Sequence, residues 1–161
     1  MDERIESLLA EVNKLHARKE LSQTVQADYF EPGMMEYLDQ SEGLFSIETG
    51  ELLLRFEVKG TRYEGRTEQI EKIRLHDDVL VRRDRKNIYN ANNFELLTTA
   101  GKSLGNVPAE LCNVIAPLYD IGALHLQETH VSYVEPISKR SRHAKQAVLF
   151  VEMKLIVQKN A

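Results

Sequence analysis

The chain has 161 residues, 42% of them hydrophobic and 29% charged, with a formal net charge of -4 and a single cysteine, Cys112. That length fills one core but not two large ones, and one cysteine excludes an internal disulfide framework. No apolar run approaches the ~20 residues that cross a bilayer, so a cytoplasmic protein is expected. The charge is unevenly placed: residues 1–51 hold 4 Lys/Arg against 12 Asp/Glu, whereas residues 52–161 hold 17 against 13. The later part is therefore the one expected to meet a polyanion.

In chain order, Ile5, Leu8, Leu9, Val12 and Leu15 recur at helical spacing among charges, which predicts an amphipathic helix from Asp2 to beyond His16. Its stripe suits docking onto the domain or onto a partner chain, a homodimer through this helix included. Pro32, Gly33 and Gly43 break the pattern, leaving residues 1–43 as an acidic helical extension and linker. From residue 44 the period becomes that of strands. "LFSIETGELLLRFEVKG" predicts a strand on each side of Thr49-Gly50, and "DDVLVRR", "NFELLTT" and "KSLGNV" predict three more. Pro108 opens one short helix, "PAELCNVIAPL", expected to end before Pro117. Cys112 sits among Leu111, Val114 and Ile115 in that helix and reads as a buried thiol rather than a nucleophile. Two longer strands, "ALHLQETHVSYVE" and "AVLFVEMKLIVQ", close the domain around "PISKRSRHAK". The fold class predicted for residues 44–161 is mainly β with short helices (α+β), a small OB-like β-barrel preceded by the N-terminal helix.

Catalytic machinery is not visible in this frame. The glycines at 60, 65, 101 and 105 have the wrong spacing for a phosphate loop. His125, Glu128 and His130 are close in sequence, but strand alternation puts His125 on the opposite face from the other two, so no metal site is assigned. No cofactor is implied, and a non-enzymatic binder is expected.

The stretch "RRDRKNIYNANNFELL" supplies what a single-stranded nucleic acid requires, namely cations for phosphates and an aromatic face for a base. Arg82, Arg83, Arg85 and Lys86 are the cations and Tyr89 the ring. Asn87, Asn90 and Asn92 can read a sugar hydroxyl or a base edge, and can equally shape a turn. A second basic cluster, "KRSRHAK" at 139–145, contains no acid.

Four segments in order, "VKGTRYEG", "LHDDVLVRRDRKNIYNANNFEL", "GKSLGNVPAEL" and "LYDIG", resemble the HIRAN domain, a module of DNA repair translocases that also occurs as small separate bacterial proteins. The resemblance covers roughly residues 52–157 and implies an OB-like fold that holds the 3′-hydroxyl end of single-stranded DNA. It also implies a helicase or nuclease partner in repair or replication-fork processing. Under it, Arg62 and Tyr63 match a phosphate-binding and base-stacking pair, and Asn87 matches a pocket asparagine. Asn90 stands where DNA-binding members have an aspartate, Glu64 where they have a second stacking tyrosine, and Asn106 where they have a histidine. These three departures leave open a different class of function, a protein-interaction or regulatory domain whose end pocket has degenerated and whose acidic front docks a partner.

Overall fold

The structure, a computed structural model, describes Arg4, residues 44–45, 49–63, 65–140 and 142–157. The predicted N-terminal helix, apart from Arg4, and Glu64 lie outside the described residues. β1 (Leu44–Phe45) and β2 (Glu51–Glu57) pair antiparallel on either side of Thr49 and Gly50, as the sequence predicts. β2 then pairs with β7 (Val148–Val157), which pairs with β6 (Leu124–Glu135), giving a four-stranded sheet in the order β1-β2-β7-β6. β3 (Leu80–Asp84), β4 (Asn93–Leu97) and β5 (Ser103–Asn106) form a second, three-stranded antiparallel sheet.

The barrel expected from the sequence is corrected here: the described strands make two small sheets and no closed barrel. Two isolated bridges stitch the sheets at opposite edges, Lys59 to Asn106 and Asp78 to His130. At the first seam each residue donates its backbone N–H to the other's carbonyl, at 2.9 and 2.8 Å. Gly105 makes this approach possible. Its φ is +149°, and a Cβ there would stand 2.5 Å from both the Lys59 carbonyl oxygen and Val58 Cγ1.

Among the described residues two α-helices rather than one punctuate the strands, with a short 3-10 turn at Ile137–Lys139. α1 (Arg66–Lys72) was not expected, because its 7 residues are too few to show a helical period. It buries Ile70 and Arg66. α2 (Ala109–Asp120) runs through Pro117 instead of stopping before it. Pro117 and Asn113 are both on the exposed side, where the carbonyl left unpaired by the missing N–H meets water. On the inner side Leu118 is buried and Tyr119 packs edge-on to Phe94 at 5.3 Å, and these contacts carry the helix past the proline. Leu52, Leu54 and Phe56 of β2 and Leu149, Val151 and Met153 of β7 fill the core in strict alternation, joined by Phe94, Leu96 and Leu104 from the second sheet. Cys112 is buried with them, and burial pushes its thiol up to about 11, so it is protonated at neutral pH.

A bulge between Leu126 and Glu128 breaks the alternation assumed for β6. His125, Glu128 and His130 pair with Ile156, Lys154 and Glu152, which all alternate with the buried residues of β7, so the three share the outer face. Among the described residues no three potential metal ligands converge. Nor is any described helix long and apolar enough to cross a membrane.

The Gly105 contact yields a direct test. Gly105→Ala is expected to cost roughly 2–5 kcal/mol, from backbone strain plus overpacking at the seam. Gly101→Ala, at φ +83° with nothing within 4 Å of the added Cβ, carries strain alone and a smaller loss. Equal shifts of the two urea midpoints would show that the sheets do not need the close approach.

Candidate nucleic-acid interface

The loop between β3 and β4 is held by its own asparagines. Asn87 Oδ1 accepts the backbone N–H groups of Tyr89 and Asn90, both at 3.0 Å, and Asn90 Oδ1 accepts that of Asn92 at 3.0 Å. These are side-chain turns that fix the backbone with local bonds. Asn92 Nδ2 reaches across to Asn113 Oδ1 on α2 at 3.2 Å. What the scaffold displays is apolar: Ile88 is 86% and Tyr89 91% exposed.

The same loop is wired to the first seam. Asn87 Nδ2 donates to Asp84 Oδ2 at 3.2 Å. Asn93, itself 5% exposed, donates one amide hydrogen to that oxygen at 3.2 Å and the other to Asn106 Oδ1 at 3.0 Å. Asn106 is the backbone partner of Lys59, next to Gly60. A side chain at Gly60 would stand 3.4 Å from Asn106 Nδ2 and 3.8 Å from a Tyr63 ring carbon, so the turn bearing Arg62 and Tyr63 abuts Asn106. Asn87, Asp84, Asn93 and Asn106 thus form a continuous polar ladder from the asparagine loop to that turn.

Arg62 and Tyr63 are exposed, and the Arg62 guanidinium lies over the Tyr63 ring, 4.8 Å from its centroid, while donating to the Tyr63 hydroxyl. Stacking of this kind holds a flexible cation beside an aromatic face. The turn closes through Tyr63 N–H to the Gly60 carbonyl at 3.3 Å and feeds α1 through Arg66 N–H to the Tyr63 carbonyl at 2.9 Å.

The other predicted cations divide into two groups. Arg83, its side chain 6% exposed, clamps both Asp120 oxygens at 3.0 Å, donates to the Ala91 and Asn93 carbonyls and lies over Phe94. It is enclosed by the fold. Arg82 pairs with Glu95 across the hairpin yet remains largely exposed, as do Arg85, 2.9 Å from Asp120, and Lys86. Sequence reasoning missed the buried centre behind them: Arg66 donates to the Gly60 carbonyl at 3.0 Å, to Ser103 Oγ at 2.9 Å and to Glu95 at 3.5 Å. Counting the hairpin register would have placed Arg82 opposite Glu95, but no sequence signal joins Arg66 to either.

The "KRSRHAK" loop is tied at both ends to this region. Ser138, just before it, donates its hydroxyl and backbone N–H to Glu71 on α1, and the hydroxyl bond leads in holding that carboxyl below its ordinary range. Beyond it, the Ala147 carbonyl accepts from Thr61 Oγ1 at 3.2 Å, next to Arg62. The loop therefore leaves near one end of α1 and returns near the other, roughly 10 Å away for seven helical residues. Arg142, His143 and Lys145 are exposed along it.

Asp120 is held below the usual carboxylate range, first by the hydrogen bond from Arg83 and then, against the opposing effect of burial, by the charges of Arg83 and Arg85. A depressed folded value means that the clamp's contribution is complete above about pH 4 and is lost as pH falls through that value. Asp120→Asn should therefore lower Tm at pH 7, with the gap to the parent protein narrowing as pH falls below about 4. A gap constant across that range would show that the carboxylate charge plays no part. Asn93→Asp removes both ladder donors and sets a carboxylate against Asp84, with an expected loss of ~1–3 kcal/mol in urea unfolding. An unchanged midpoint would mean that the ladder is not a stabilising connection.

The HIRAN domain profile matches residues 52–150. A crystal structure of a protein from Lactobacillus plantarum is similar at 20% identity, with 65% of this chain and 98% of that one covered and a TM-score of 0.49. The crystal structure of the HIRAN domain of human HLTF is similar at 19% identity, 68% and 82% coverage and a TM-score of 0.48. The NMR structure of that domain in its DNA-bound conformation gives 20%, 66% and 76%, and 0.43. No curated protein matches the sequence.

Proposed function

The chain belongs to the HIRAN domain family, and on that premise we propose that it binds single-stranded DNA at its 3′ end, the hydroxyl-bearing end that the family resemblance implies, without cutting it. The observation that carries this reading is the ladder from Asn87 to Asn106, which brings the exposed Tyr89 loop and the exposed Arg62–Tyr63 turn together. Two aromatic faces and a stacked guanidinium on one edge fit bases and a phosphate, at about 1–3 kcal/mol per stacked base. Arg82, Arg85, Lys86 and the "KRSRHAK" loop add phosphate contacts that weaken with salt. Arg83, Asn87 and Asn92 shape the loop from within. A helicase or nuclease partner, and work in repair or at replication forks, belong to the same proposal.

One observation favours the competing reading, a protein-interaction domain with a degenerate pocket: the Asn90 carbonyl is already used by Asn92 N–H. Fluorescence anisotropy decides between them, with a labelled linear single strand against a closed single-stranded circle at low and near-physiological salt. Tighter binding of the linear strand that survives salt supports end recognition. Equal binding of both that vanishes with salt, or none, sinks it in favour of a protein partner. Tyr63→Ala should weaken the linear complex about 5- to 150-fold while leaving Tm nearly unchanged. A matching fall in Tm would mean that the ring is structural.

A further inference from the structure

We infer that the end pocket accepts a strand terminated by a 3′-phosphate at least as well as one terminated by a 3′-hydroxyl, with Asn90 as the residue that sets this range. The inference rests on the end-binding reading above. Its basis is which atom Asn90 has left to offer. The amide orientation is fixed chemically, because only the carbonyl oxygen accepts from a backbone N–H, and Asn90 Oδ1 lies 3.0 Å from Asn92 N. The other terminal atom, Nδ2, is a donor, and no described residue accepts from it. Half-buried in a loop whose backbone is fixed by Asn87, this amide offers an incoming group both of its N–H hydrogens and the one carbonyl lone pair that Asn92 leaves unused.

With two donor hydrogens against one remaining lone pair, that position favours acceptors. A hydroxyl offers both its oxygen lone pairs and its hydrogen, whereas a phosphate offers only oxygens, and more of them, with negative charge. Other nearby groups point the same way. Arg85 and Lys86 precede Asn87 in the loop, and Arg62 stands on the adjoining turn. The nearest acid on the ladder, Asp84, has its Oδ2 taken up by the amides of Asn87 and Asn93. Asp120 is taken up by Arg83 and Arg85. A carboxylate at position 90 would reverse the choice, since one oxygen would still hold Asn92 N–H and the other would present a negative acceptor that attracts a hydroxyl hydrogen and repels a phosphate.

Competition anisotropy with four unlabelled strands of one sequence tests this: 3′-hydroxyl, 3′-phosphate, 5′-phosphate and closed circle, on the parent protein and Asn90→Asp. The parent should bind the 3′-phosphate strand as tightly as the 3′-hydroxyl strand or more so, beyond any gain from the 5′-phosphate, which adds the same charge elsewhere. Asn90→Asp, which keeps the turn, should favour the 3′-hydroxyl by about tenfold or more. A parent that prefers the hydroxyl tenfold, or a ratio that Asn90→Asp leaves unmoved, overturns the assignment of Asn90 while leaving end binding intact. A circle that binds as well as the linear strands overturns end recognition itself, and the inference with it.

Discussion

The amide of Asn93 joins the parts of the molecule on which the site depends. It is buried at the start of β4, and both of its hydrogens are used, one by Asp84 at the end of β3 and one by Asn106 at the end of β5. A buried amide left unpaired costs ~1–3 kcal/mol, so the three strand ends are held in one arrangement rather than several. Asn106 lies at the seam with Lys59, and so the same amide sets how the second sheet meets the first. The loop above and the Arg62–Tyr63 turn beside it inherit their positions from this contact.

Charge is divided between structural and surface uses, and burial marks the division. Arg66 and Arg83 are enclosed and answer to Glu95 and Asp120, each with further bonds to backbone carbonyls or a hydroxyl. An enclosed guanidinium needs that full set of acceptors, because its desolvation is not repaid by one partner. Arg62, Arg82, Arg85 and Lys86 stay in water, where an ion pair is worth little and a polyanion can displace it. Glu95 serves both groups, holding Arg66 inside and Arg82 at the surface, and so fixes where the accessible charge begins.

Much of the fold was legible in the sequence. β-branched and aromatic runs between turn signals gave the named strands in order, and β2 and β7 bury alternate residues without interruption. What failed has identifiable physical causes. α1 is two turns long, below the length at which a helical period emerges, and it is held by one core residue, Ile70, and by Arg66, a residue type that reads as surface. A bulge between Leu126 and Glu128 reverses the facing of β6 as far as Val131, where a second between Val131 and Tyr133 restores it, and no residue pattern announces either. The barrel was expected from strand count, whereas the two sheets touch at single bridges that depend on Gly105 and on a turn at His76. Of the site, "RRDRKNIYNANN" was recognisable as a loop of cations and amides, but which amide would face inward depended on tertiary partners: Asn93, not among the predicted site residues, proved to be the buried one.

The asparagine run also settles a thermodynamic matter that composition leaves open. An exposed loop ordinarily loses backbone freedom on binding, at about 1–2 kcal/mol per residue fixed. Here Asn87 and Asn90 supply, within the free protein, the bonds that order residues 87–92, so that loss is already taken up by folding. Tyr89 keeps 91% exposure on a backbone held by these side-chain bonds. An aromatic face held open in this way leaves exposed apolar area that the core does not recover, so it adds little to the stability of the fold.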